Sequence, residues 1–250
     1  EEGFWLWVAS WALFLQSPSD LGYSDEGYAL PEMEVVYHEV TAQARIGQLQ
    51  NKHGQTLMFP DAAMGVQDAA REKRDTLPIR VEEMMKILNA EPEKHFLLWH
   101  DLEKEREAIE KNVPGVVTVY GKMQDLAERE QSIMDFADGK IQYFGGKPSM
   151  LGAGCNFQRH CSDAIFLGIG FKFNDFIQSV HRLHRFLQLN KVRIHLIYAD
   201  TEKGILQKLL AKWNRYTERA KKMSDIIRKF GLSEQSMMQA MQRKMGCERV

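Results

Sequence analysis

The sequence predicts an α/β chain built on a parallel β-sheet with helices on both faces, carrying helical N-terminal and C-terminal extensions. Two observations carry that prediction. From residue 95 to 199, short apolar runs alternate with helical stretches of about ten residues or more, the rhythm of strands joined by helical crossovers. Hydrophobic residues make up 44% of the 250, enough to bury a sizeable core, and no internal repeat or low-complexity tract interrupts the pattern.

The chain opens on "FWLWVASWALFL" (4–15), in which Trp5, Val8, Ala9, Ala12 and Leu15 recur at helical spacing and predict a buried helix. The run is too short for a bilayer, which takes about 20 apolar residues, and it follows acidic residues rather than the basic front of a secretory signal. No membrane span or leader is expected from it. "SPSDLGYSDEGYALPEM" (17–33), dense in Ser, Asp, Gly and Pro, reads as loop or linker. Residues 35–55 read as helical, with "VVYHEV" open to being a short strand first, and the polar, proline-broken stretch 51–78 reads as a mobile insertion. "IRVEEMMKILNA" (79–90) is an amphipathic helix.

The regular part follows. "HFLLWH" (95–100), "GVVTVYG" (115–121), "KIQYFGG" (140–146), "DAIFLGIG" (163–170) and "KVRIHLIYA" (191–199) read as strands. Between them lie the helices "DLEKEREAIEKN" (101–112), "DLAEREQSIMDFADG" (125–139) and "FIQSVHRLHRFLQ" (176–188). Residues 201–230 are helical throughout.

Charge and cysteine content narrow the function classes. Lys+Arg 33 against Asp+Glu 34 leaves a net charge of -1, so no global field draws the chain to nucleic acid or membrane, and any basic surface is local. Three cysteines without disulfide-framework spacing fit a reducing compartment, and the cytoplasm is expected.

The segment 176–188 has the strongest functional signal. On a helical wheel Phe176, Ile177, Val180, Leu183 and Leu187 gather on one side, while Gln178, Arg182 and Arg185 fall within about 60° of one another on the opposite side. Arginine is a rigid, permanently charged fork suited to phosphate oxygens, though a Gln-Arg-Arg edge on its own is also what a solvated helix face looks like. In parallel sheets ligands sit at the carboxyl ends of strands, and the loop "KPSMLGAGCNFQ" (147–158), with Gly152, Gly154, Asn156 and Gln158, comes just before the next strand and the arginine segment.

In that order, "HFLLWHDLEKE", "VYGKMQDLAEREQSIMDFADGK", "KPSMLGAGCNFQ" and "FNDFIQSVHRLHRFLQLNKVRIHLI" resemble the second RecA-like domain of superfamily-two helicases, most of all the Swi/Snf-type branch of DNA translocases and its phage and prophage versions. The likeness covers about residues 95–210, and "SPSDLGYSDEGYALPEM" more weakly resembles the segment that leaves the first domain. Gln178, Arg182, Arg185 and Gln188 match the four positions of the family's motif VI, with Gly121, Arg129, Phe136 and Gly139 at the expected spacings. Phe186-Leu187 and His181 depart from the family's usual residues.

The resemblance implies that Arg182 and Arg185 are arginine fingers reaching ATP and Mg2+ held on a first RecA-like domain. Gln178 positions that edge, and Gly152, Gly154 and Asn156 form motif V. Trp99, His100, Lys147 and Ser149 meet nucleic acid, and double-stranded DNA is the expected track. No Gly-x-x-x-x-Gly-Lys-Ser/Thr loop and no Asp-Glu-x-His signature occurs in the 250 residues, so the phosphate cradle and the magnesium carboxylates are expected on an upstream domain of the same polypeptide. The start without Met fits that expectation. The implied organisation is 1–33 as the end of the first motor domain and linker, 34–92 as a helical and irregular insertion, 93–210 as the second RecA-like domain and 211–250 as a helical extension.

Other candidates are weaker. Lys212 to Lys229 holds seven Lys/Arg against Glu218 and Asp225, with Trp213 and Tyr216 interleaved; Lys212 and Arg215 suit a DNA backbone and equally a charged exterior helix. Cys155, His160 and Cys161 lack a standard zinc spacing, so no metal site is expected. His184 lies toward the apolar side and reads as a structural histidine, and Met237, Met238, Met241 and Met245 form a packing stripe. Two rival readings stand beside the motor: a non-catalytic α/β module binding nucleic acid or protein, and a nucleotide-using transferase on a similar sheet.

Overall fold

The computed structural model describes residues 2–9, 11–12, 15, 17–42, 73–121, 125–151, 155–170, 172–230 and 239. The expected helix beyond 42, most of the 51–78 insertion, Gly152, Gly154 and the methionine stripe lie outside the described residues.

Two compact units emerge: Pro31–Leu209, and a second made of Glu1–Leu30 with Leu210–Val250. The first is a six-stranded parallel sheet in the order β1-β6-β5-β2-β4-β3, with β1 Met33–Val40, β2 Phe96–Trp99, β3 Val117–Val119, β4 Tyr143–Gly146, β5 Asp163–Phe166 and β6 Val192–Ala199. Parallel strands are covered on both faces, which is why β2 and β5 are buried at every position.

Register separates the two faces. Phe96, Leu98, Ile165 and Ile197 point to one side, where Val81, Met84, Ile87 and Leu88 of α2 (Leu77–Ala90) and Ile109 of α3 (Glu103–Asn112) complete a core. On the other side Phe144 stacks on Phe136 of α4 (Leu126–Ala137) with ring centroids 4.9 Å apart, and Phe157 meets Phe136 edge-on at 5.1 Å. Phe166 packs on Phe176 of α6 (Phe173–Val180), which follows the short α5 (Pro148–Leu151). Gly139 ends α4 at φ 76, where a Cβ would come within 2.9 Å of the His160 ring, so the turn requires glycine.

The sheet begins earlier than expected. Residues 33–40 form a full edge strand paired with β6 along its length, and α2 packs on β1 and β6, so neither belongs to an insertion preceding residue 93. Alternating burial along β1 is the signature of an edge strand, and polar side chains fasten it: His38 bonds Glu83 of α2 at 3.1 Å and His195 of β6 at 3.0 Å.

Residues 203–209 of α7 (Lys203–Phe230) belong to the sheet unit, where Ile205, Leu206 and Leu209 are buried, and residues 210–230 belong to the second unit. There, buried Asp20, in a 3-10 turn over Pro18–Leu21, accepts hydrogen bonds from the Ser224 hydroxyl and the Arg228 Nε. The expected buried N-terminal helix is shorter and less enclosed: α1 spans Glu2–Ala9, Leu6 is fully buried, and Phe4, Trp7, Trp11 and Leu15 are exposed. No helix among the described residues is long and apolar enough to cross a membrane.

Candidate functional site

The segment carrying Arg182 and Arg185 is not the helix its periodicity predicts. α6 stops at Val180 with His181 as its C-cap, and residues 181–187 run in turns, with Leu187 at φ 67. The wheel that set Gln178, Arg182 and Arg185 on one edge therefore does not apply: Gln178 is exposed on α6, and both arginines lie in the connection to the amino end of β6. Tertiary hydrogen bonds decide this. The Phe157 N–H donates to the Arg182 carbonyl at 3.4 Å, and the buried Gln188 amide donates to the carbonyls of Cys161 at 3.0 Å and Leu183 at 3.4 Å.

These bonds lay residues 182–188 against residues 155–161 and bring together what helical geometry was expected to align. Arg182 Nη1 donates to the Cys155 carbonyl at 3.1 Å, and Arg185 Nη1 donates to the Asn156 side-chain oxygen. The Nε–H of each arginine is buried without a hydrogen-bond partner. Among the described residues no carboxylate pairs with either arginine. Burial, then the neighbouring Arg185 charge, lower the Arg182 pKa, which still leaves the guanidinium charged at neutral pH. Arg129 of α4 adds a third cation: its charge and that of Arg182 pull on the Cys155 thiol against the upward push of burial. Its convergence on the same loop is visible only in three dimensions. The result is an electropositive cradle with unused donors, suited to an anion with several oxygens.

A pocket of about 300 Å³ lies at the carboxyl ends of β2, β4 and β5, wholly within the sheet unit. Trp99 ends β2, His100 follows it, and both are buried, so they line the pocket from within rather than standing as exposed contacts; Lys147 and the exposed Ser149 follow β4 at its rim. The sequence reading missed Lys73, Lys172, Phe166 and Phe176, which also line it; the "LGIG" turn after β5, with Gly168 and Gly170 in the lining, was the available signal. Burial lowers the His100 pKa to about 4, so its ring is neutral at physiological pH.

Beneath the pocket an ion pair is enclosed completely. Arg80 Nη1 donates to Glu105 at 2.9 Å and to the Leu167 carbonyl, Nη2 to the Lys73 carbonyl, and Nε to Thr76 at 3.2 Å. The other Glu105 oxygen accepts from the N–H groups of Asp101 and Leu102 at 2.9 and 3.0 Å, so every strong group is answered.

Lys212 and Arg215 are exposed on α7 in the second unit, and of the seven basic residues in that stretch Arg228 is committed to Asp20. His184 donates through Nε2 to the Pro31 carbonyl at 2.9 Å, a structural role. The Cys161 thiol donates to the carbonyls of His95 and Asp163, and burial pushes its pKa up to about 12.

No family model and no curated protein matches the chain. Solved structures do. The chain is similar to the C-terminal part of the Fun30 ATPase domain at 20% identity and a TM-score of 0.47, covering 52% of this chain and 44% of that one. It is similar to a DEAD box protein from the hyperthermophile Methanococcus jannaschii at 15% identity and a TM-score of 0.47, over 54% and 37% of the two chains. A variant of S. cerevisiae Dbp5 bound to RNA and ADP BeF3 aligns at 14% identity and a TM-score of 0.45, over 61% and 43%. The chain thus spans less than half the length of each of these proteins.

Proposed function

We propose that the chain is the C-terminal RecA-like domain of an ATP-dependent superfamily-two DNA helicase or translocase of the Swi/Snf type, and that its arginine cradle completes an ATP site carried by another domain. The observation that carries this reading is the pair Arg182 and Arg185, held on the 155–158 loop with buried, unused N–H donors and no carboxylate partner among the described residues. Isolated guanidinium groups in such a setting gain most from a ligand with dense negative charge, which a transferring phosphoryl group supplies.

The residues divide the work. The Cys155 carbonyl fixes Arg182 and the Asn156 amide fixes Arg185, so both forks are oriented before ligand arrives. Gln188 holds the turn that carries them. Mg2+ finds no ligand set at the cradle among the described residues, since no carboxylate pairs there; with ATP it would be held by the first domain, where it neutralises phosphate charge. Double-stranded DNA is the proposed track, met by the pocket rim at Lys147 and Ser149; Lys212 and Arg215, exposed on the second unit, are proposed as backbone contacts of that unit by itself.

The test uses the full-length gene product. Arg182→Ala and Arg185→Ala should each lower DNA-stimulated ATP hydrolysis by about a thousandfold or more while leaving DNA binding intact. Hydrolysis at wild-type rates in both variants would refute the finger assignment. Stimulation by RNA instead of duplex DNA would replace the proposed track.

A further inference from the structure

The pocket at the carboxyl ends of β2, β4 and β5 holds a combination that backbone contact alone leaves unexplained. His100 is 1% exposed with neither ring nitrogen hydrogen-bonded, and its neighbour Trp99, also 1% exposed, has an unpartnered indole N–H. A buried polar group without a partner costs about 1–3 kcal/mol, and adjacent ones lining the same cavity call for a partner that enters it. The floor is aromatic, with Trp99 stacked on Phe166 at 6.1 Å and Phe166 against Phe176 at 5.0 Å. The lining is mixed in charge: buried Lys73 is tied to Asp101 at 3.4 Å and Asp175 adds a second carboxylate, whereas Lys147 and Lys172 pair with no carboxylate among the described residues.

These features together select the ligand. An aliphatic group would leave the ring nitrogens unpaired, and a bare phosphate would leave the aromatic floor unused. A flat heterocycle with donors and acceptors around its edge, attached to phosphate, satisfies both, and about 300 Å³ sits at the small end of ligand sites, which run from about 300 to 1,000 Å³. We propose that this pocket receives the base of a single nucleotide unit, stacked over the aromatic floor and hydrogen-bonded by His100 and Trp99, with the attached phosphate on Lys147 and Lys172. The proposal rests on the nucleic-acid reading of Trp99, His100, Lys147 and Ser149, and it adds that a base is taken out of its stack. Because the buried imidazole is neutral, it offers one N–H donor and one bare acceptor nitrogen.

The nucleotide unit could come from a strand or from a free nucleotide, and binding measurements on the 250-residue chain separate the sources. The probes are a single-stranded DNA pentamer with a central 2-aminopurine, the same pentamer with an abasic centre, AMP, and inorganic phosphate. The intact pentamer should bind about tenfold or more tightly than the abasic one, with the 2-aminopurine emission changing as the base leaves its neighbours. His100→Leu, inside the pocket, and Ser149→Trp, on its exposed rim, should both bring the intact pentamer down to the abasic level. AMP binding as tightly as the pentamer assigns the site to free nucleotides; AMP binding far more weakly assigns it to a strand. Equal affinity for the two pentamers, or full displacement of the intact pentamer by inorganic phosphate, overturns the base pocket while leaving a backbone-binding motor domain in place. Loss of binding to every oligonucleotide would overturn the nucleic-acid reading itself.

Discussion

His100 makes the stability of the fold pH-dependent in a way that can be separated from the other histidines. Burial holds its folded-state pKa at about 4, against 6.5 for an ordinary histidine. Above pH 6.5 both folded and unfolded chains carry a neutral ring, and the group contributes no pH dependence. As pH falls below 6.5 the unfolded chain takes up a proton that the folded chain refuses, so stability declines until the folded pKa is reached, where the loss is complete. A shift of that size corresponds to about 3 kcal/mol in all, of which about 2 kcal/mol is lost by pH 5. His38 and His181, also lowered first by burial, add losses of the same sign. Comparison with His100→Leu removes that background. Urea unfolding at about pH 7.5 and about pH 5 should show the wild type losing about 2 kcal/mol more than the variant. Equal losses in the two proteins would refute the inference that His100 is buried and neutral.

Three further outcomes follow from contacts described above. Arg80→Met strands Glu105 in a dry site and should cost about 3–5 kcal/mol in urea unfolding, and adding Glu105→Leu should recover much of that loss, because two matched apolar groups replace two matched charges. Asp20→Ala removes the acceptor for Ser224 and Arg228 and should destabilise the second unit by about 1–3 kcal/mol, read as faster tryptic cleavage at Lys221, Lys222 and Arg228 of α7. Asn156→Asp supplies the carboxylate that the cradle lacks, so Arg185 should become internally paired; ATP hydrolysis by the full-length product should then fall toward the Arg185→Ala level with no loss of fold.

The strands from 95 onward were legible because each is a short apolar run bounded by turn residues, and a strand buried on both faces needs little else to announce itself. β1 was harder: "VVYHEV" alternates in burial as an edge strand does, but His38 in its middle makes sense only beside Glu83 and His195, which lie far away in sequence. α6 was over-extended because Val180, Leu183 and Leu187 keep a helical period even though Leu183 reaches the core from a turn and Leu187 is exposed. What ended the helix was the grip of Phe157 and Gln188 on the 182–188 backbone, which periodicity does not register. The N-terminal run misled for a related reason. Its apolar residues are dense enough for a core helix, yet among the described residues of the run only Leu6 is fully enclosed.

α6 is a strut of eight residues, about 12 Å long at 1.5 Å per residue. Its first turn places Phe176 in the pocket wall, and its last residue, Val180, lies two positions before Arg182. Packing pins it between those ends through Ile177 and Val180, leaving little room to bend. The pocket wall and the arginine turn therefore share one short, packed element, and the distance between them is set by its eight residues.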